Sequence, residues 1–151
     1  MSIWYKEEVM RITTKGRYAL NLMIDLADHN TGVPIRLRDI AQRQGISEKY
    51  LEKIISLLHR AGYVKSTRGA QGGYTLNRET QEYTVGMILR ITEGSMAPVL
   101  CVEEGHKVCE KMNQCVTVLL WRKINDAVNE VIDTTTLQDL IDWRDEKTKS
   151  Y

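Results

Sequence analysis

The stretch between Leu37 and Leu76 constrains the fold most. Two segments with helical apolar spacing are separated by "QGIS", and a glycine-punctuated pattern of alternating residues comes almost at once behind them. In the first segment Leu37, Ile40 and Ala41 share a face up to Gln44, and Gly45 stops it. In the second, Ser47 is placed as an N-cap, and Tyr50, Leu51, Ile54, Ile55 and Leu58 recur at helical spacing until Gly62 supplies a left-handed terminator. Two short helices joined by a tight turn predict a helix-turn-helix.

The glycine-rich stretch behind the second helix decides how that motif is used. "RGAQGGYTL", residues 68–76, has three glycines in five residues behind a basic one, which suits a phosphate cradle or a hairpin tip. A P-loop needs Lys and then Ser or Thr after its last glycine, with a helix behind; here Tyr74, Thr75 and Leu76 continue as a strand. The glycines therefore form a hairpin tip between a strand at 63–67 and one at 74–76. A hairpin directly after a helix-turn-helix is a winged helix. The expected fold is mainly α with a small β-hairpin wing.

Around this unit, Tyr18, Ala19, Leu22, Met23, Leu26 and Ala27 predict a first amphipathic helix ended by "NTGVP", and residues 84–93 a further short one. Residues 1–9 read as an extension, 10–93 as the winged helix-turn-helix domain, and 94–115 as a cysteine-bearing loop. Residues 116–143 read as a long helix and a capped terminal helix, and 144–151 as a loose charged tail. Val118, Leu119, Trp121, Ile124, Val128, Val131 and Ile132 put apolar groups on more than one side of the long helix, more than one small domain can cover. A second copy of the chain is expected to cover it.

The net charge of +1 hides an asymmetry. Residues 10–78 hold twelve Lys and Arg against five Asp and Glu, a balance of +7; residues 79–151 hold eight against thirteen, a balance of −5. The first part is built to meet an anion, and double-stranded DNA fits a winged helix. With the apolar residues of the second helix facing inward, Ser47, Glu48, Lys49, Glu52 and Lys53 lie outward near its start, where base edges are read. Glu52 is expected to bring specificity rather than affinity, because a carboxylate near phosphates is tolerated only with a suitable base. Arg68 is placed to touch the backbone or a minor groove.

Three cysteines, at 101, 109 and 115, make a C-x7-C-x5-C pattern. An odd number closes no disulfide set, and the spacing fits a zinc ribbon poorly, whereas an irregular loop can wrap an iron-sulfur cluster. His106 is the local candidate for a fourth ligand, with Glu103, Glu104 or a group from a partner chain as alternatives. His29 and His59 stand beside no visible nucleophile, so no catalytic constellation emerges and no enzyme is expected. No apolar run long enough for a membrane span or a signal peptide is present, and a cytoplasmic location is expected.

"MRITTKGRYAL", "DIAQRQGISEKYLEKI", "VKSTRGAQGGYTL" and the cysteine pattern followed by "LW", in that order, resemble the IscR-like winged-helix regulators of the Rrf-two superfamily over residues 10–141. The resemblance implies a homodimer formed through the long helix at 116–133 and a 2Fe-2S cluster on Cys101, Cys109 and Cys115 that tunes DNA binding. It also implies that Glu52 discriminates between operator types. Where that pattern carries a histidine ligand, three residues past the last cysteine, this chain has Val118. The expected function is a sequence-specific transcription regulator, acting as a repressor that responds to iron-sulfur status. The alternatives are a nitric-oxide, redox or cysteine-supply regulator of the same fold, or a cluster-carrying module that binds protein instead of DNA.

Overall fold

The computed structural model describes residues 9–151. The extension expected at 1–9 falls almost wholly on residues outside this range. Helix α1 (Thr14–Asp28) buries Ala19, Leu22, Met23 and Leu26, four of the six residues of its predicted stripe. Helix α2 (Leu37–Gln44) ends at Gly45, whose φ of 64° only glycine adopts cheaply. Helix α3 (Glu48–Arg60) starts on Ser47, whose hydroxyl accepts from the Tyr50 N–H at 3.1 Å, and it buries Leu51, Ile54, Ile55 and Leu58. These three helices, closed by Tyr83, Ile88 and Leu137, form one apolar core.

Strands β1 (Val64–Thr67) and β2 (Gly73–Leu76) pair antiparallel, Val64 opposite Leu76 and Thr67 opposite Gly73. The expected hairpin is there, one residue shorter at its start and one longer in its return strand. Its glycines act through space as well as conformation. A Cβ on Gly72 would lie 2.3 Å from the Thr67 carbonyl oxygen, and one on Gly73 2.3 Å from that of Ile35. The second approach lets Ile35 bridge to Tyr74 and fixes the wing to the start of α2.

Helix α4 (Val85–Glu93), capped by Thr84, leads into an irregular segment with two short helical turns before α5 (Thr117–Thr134). Helix α5 packs one side against α4, where Ile132 and Val128 meet Leu89 and Met96 in a second, smaller core. Helix α6 (Leu137–Lys149) corrects the loose tail expected from Arg144 onward. The Thr136 hydroxyl and Asp139 carboxylate cap it reciprocally, and no glycine or proline interrupts the helix behind. Leu137 is fully buried, Ile141 packs on the core, and Arg144 pairs with Asp28 of α1. Charge had suggested solvation; packing and capping decide for helix.

Candidate nucleic-acid interface

Helix α3 is amphipathic enough to settle which side it shows. With Leu51, Ile54, Ile55 and Leu58 buried, Ser47, Glu48, Lys49, Glu52 and Lys53 are all exposed along its first two turns. Arg68 is exposed where the wing turns out of β1. The Arg36 guanidinium, at the entry to α2, donates to the Ala70 carbonyl at 2.7 Å, tying the wing tip to the helix-turn-helix.

Two residues that periodicity did not single out hold this surface in shape. Tyr83 is wholly buried, and its hydroxyl donates to the Tyr63 carbonyl (2.7 Å) while accepting from the Asn77 and Arg78 N–H groups (both 2.9 Å). It thereby joins the two ends of the hairpin, and burial pushes its phenol pKa up. Asp25, 8% exposed, accepts two bonds from the Arg43 guanidinium, at 2.6 and 3.1 Å, and locks α2 onto α1. The only signal for Asp25 in the sequence is an acid inside an apolar stripe, which is ambiguous without the partner.

The charge distribution bears on what this face can meet. Of the twelve cations between residues 10 and 78, only Arg43 has a carboxylate partner among the described residues. By contrast, Arg90 and Arg144, in the acidic part, are paired with Asp133 and with Asp28 and Asp145. Unpaired cations grouped around an exposed helix and a wing offer an anion sites that no internal carboxylate competes for.

The cysteine loop is arranged differently. Cys101 is half-buried in a single helical turn, Cys109 is exposed, and Cys115 is half-buried just before α5. The Cys115 Sγ lies 3.2 Å from the Thr117 hydroxyl, and that contact, helped by the Val118 and Thr117 N–H groups, holds its thiol below the ordinary range. His106 is exposed, and Val118 is 5% exposed against the body of the protein. Among the described residues no three His, Cys, Asp or Glu side chains converge as a metal site. Cys101 lies in one short helical turn, Cys115 closes another, and Cys109 lies in the irregular stretch between them. Residues 94–97 and 102–104 of the loop border an open pocket of about 630 Å³ together with Arg90, Asn125, Asn129 and Asp133.

No helix among the described residues is long and apolar enough to cross a membrane. A family model described as Rrf2, iron-dependent transcriptional regulator, matches residues 12–143. The chain is 44% identical over 142 residues to the HTH-type transcriptional regulator CymR of Bacillus subtilis, covering 94% of this chain and 97% of that protein. It is 39% identical over 132 residues to the HTH-type transcriptional regulator IscR of Pectobacterium atrosepticum, covering 87% of this chain and 79% of that protein. Among solved structures, that of B. subtilis CymR, described as a global cysteine regulator, matches with a TM-score of 0.72 at 45% identity, over 89% of this chain and 98% of the other. T. potens IscR matches with a TM-score of 0.70 at 40% identity, over 91% and 90%. The chain belongs to the Rrf2 family, and is a winged-helix transcriptional regulator rather than an enzyme.

Proposed function

We propose that this regulator acts in the cytoplasm as a homodimeric repressor on double-stranded DNA. Ser47, Lys49, Glu52 and Lys53 read sequence from the start of α3, and Arg68 grips the backbone from the wing. The observation that carries this reading is the uncompensated set of cations around α3 and β1–β2. The dimer reading is supported by Val116, Leu119, Leu120 and Val131, all more than half exposed on α5 or just before it.

The cysteine loop is the regulated segment in this proposal. An iron-sulfur cluster, of the 2Fe-2S type, on Cys101, Cys109 and Cys115, with His106 as a fourth ligand, is favoured by the family's description as iron-dependent and by the likeness to IscR. It requires Cys101, Cys109 and Cys115 to draw together. A second reading, control by cysteine supply, is favoured by the likeness to CymR and by the dispersed thiols. Anaerobic purification, with an absorption spectrum, iron and sulfide analysis and duplex binding before and after addition of iron and sulfide, separates them. Bound iron and sulfide with altered DNA binding supports the cluster. No iron uptake and unchanged binding rejects it and leaves the second reading.

A further inference from the structure

Helix α1 opens with a basic segment that neither α3 nor the wing accounts for. Arg11 and Arg17 are exposed and Lys15 is half-exposed. None of the three has a carboxylate partner among the described residues, and Arg17 reaches only the Thr14 hydroxyl, at 3.3 Å. The segment is continuous with the proposed DNA face. Tyr18, one turn along α1 from Thr14, meets the ring of Tyr50 edge-on at 5.8 Å, and Tyr50 lies in the first turn of α3 beside Lys49.

Two of the backbone donors at the start of α1 are already used. The Thr13 N–H (2.7 Å), the Thr13 hydroxyl (2.8 Å) and the Gly16 N–H (2.9 Å) all donate to the carboxylate of Glu93. With the Glu93 carboxylate seated on Thr13 and Gly16, the positive charge offered to a polyanion here is that of the side chains. Glu93 reaches this position because residue 16 is glycine: a Cβ there would stand 2.4 Å from Glu93 Oε1. Glu93 is also the last residue of α4, and the cysteine loop begins at the next position, Gly94. Two residues into that loop Met96 and Ala97 are buried, and the Ala97 carbonyl accepts from the Met10 N–H at 2.6 Å. The basic segment is thus stitched on both sides of Arg11 to the root of the cysteine loop.

A carboxylate beside cations that meet phosphate lowers their attraction for it, so its place here calls for a compensating role. We propose that Arg11, Lys15 and Arg17 form a third DNA-contacting surface, which grips phosphates beside the recognition helix, and that Glu93 is the positioning residue that fixes this surface to the root of the cysteine loop. The proposal rests on the DNA-binding reading of α3 and the wing.

The test is binding of the full chain to a random-sequence duplex, monitored by fluorescence anisotropy over a series of salt concentrations, with thermal unfolding of each variant in parallel. Lys15→Ala and Arg17→Ala should each weaken binding about three- to tenfold and reduce the slope of log K against log salt by about 1. For Glu93 the sign is diagnostic. Loss of a negative charge alone would tighten binding, whereas loss of the positioning contact weakens it. Glu93→Ala is expected to bind about fivefold more weakly, and Glu93→Gln to recover part of the loss, since its amide oxygen still accepts from Thr13 and Gly16. Should Glu93→Ala fail to fold, Gly16→Ala displaces the same carboxylate while keeping its charge, and weaker binding is expected there too. Unchanged affinity and slope in Lys15→Ala and Arg17→Ala, with Arg68→Ala still losing both, overturns the third surface. Tighter binding by Glu93→Ala overturns the positioning role. Absence of salt-dependent binding by the unaltered chain overturns the DNA-binding reading itself.

Discussion

Glu52 and Arg68 are both exposed and both proposed to meet DNA, but the physics assigns them opposite effects. Arg68 gains counterion release from any duplex, so Arg68→Ala should weaken binding to all sequences and lower the salt slope by about 1. Glu52 repels every phosphate and gains only from a base that donates to it, such as a cytosine amino group. Glu52→Ala should bind overall as well or better and accept more sequences, which selection from a randomised duplex library would reveal. Equal loss on every sequence from both variants would remove the reading role from Glu52. Tyr83 makes a third case, structural in its action and visible at the wing. Tyr83→Phe deletes the acceptor of two backbone N–H groups within the core's edge, and should cost about 2 kcal/mol of stability, measured by denaturant unfolding.

At the scale of elements, α6 shows how a local cap can outweigh composition. Its Asp139 carboxyl is held below the usual carboxylate range by the Thr136 N–H and hydroxyl. A carboxyl depressed in the folded state contributes stability that is complete above its unfolded pKa and is lost as pH falls through the lower folded value. The unaltered protein should therefore exceed Asp139→Asn in thermal midpoint at neutral pH, with the difference shrinking in strong acid, where both residues are neutral. A difference that stayed constant with pH would assign the effect to something other than the charged cap. The same logic of local donors and acceptors operates at the start of α1, except that its carboxylate comes from Glu93, 80 residues from Thr13 along the chain. That is why α6 announces its cap in the sequence, as "TTTLQD", and α1 does not.

Across the whole molecule, the two cores divide the labour. The larger one unites α1, α2, α3, the wing and Leu137 of α6, and the smaller one joins α4 to α5. Helix α5 turns Val118 and Ile132 inward and leaves Leu119 and Leu120 57% and 51% exposed. In a dimer joined by this helix, Leu120→Asp would bury an uncompensated charge, and sedimentation should show dissociation at micromolar concentration with helix content retained. Ile124→Asp, half-buried on the same helix, should act likewise, whereas Val128→Asp would also disturb the contact with α4. A monomer for the unaltered chain would overturn the dimer. Dimerisation would also place α6 usefully, because it leaves the end of α5 and immediately returns to α1 through Leu137, Ile141 and the Arg144–Asp28 pair.

The winged helix-turn-helix was legible in the chain before any folding was considered, since that motif is written in short-range terms: apolar spacing along α2 and α3, Ser47 as a cap, Gly45 and Gly62 as stops, and glycines where the wing must turn. The outward side of α3 was legible in the same way, because burial of Leu51, Ile54, Ile55 and Leu58 leaves Lys49, Glu52 and Lys53 no other place. Other features needed the folded molecule. The partners of Asp25, Tyr83 and Glu93 lie 18, 20 and 80 residues away, and hydrogen bonds at such separations leave no period to read. The helical course of the charged tail was decided by Leu137 and Ile141 finding the core. The relation of the three cysteines was decided by loop geometry, because spacing limits how near thiolates can come while the backbone between them decides whether they do.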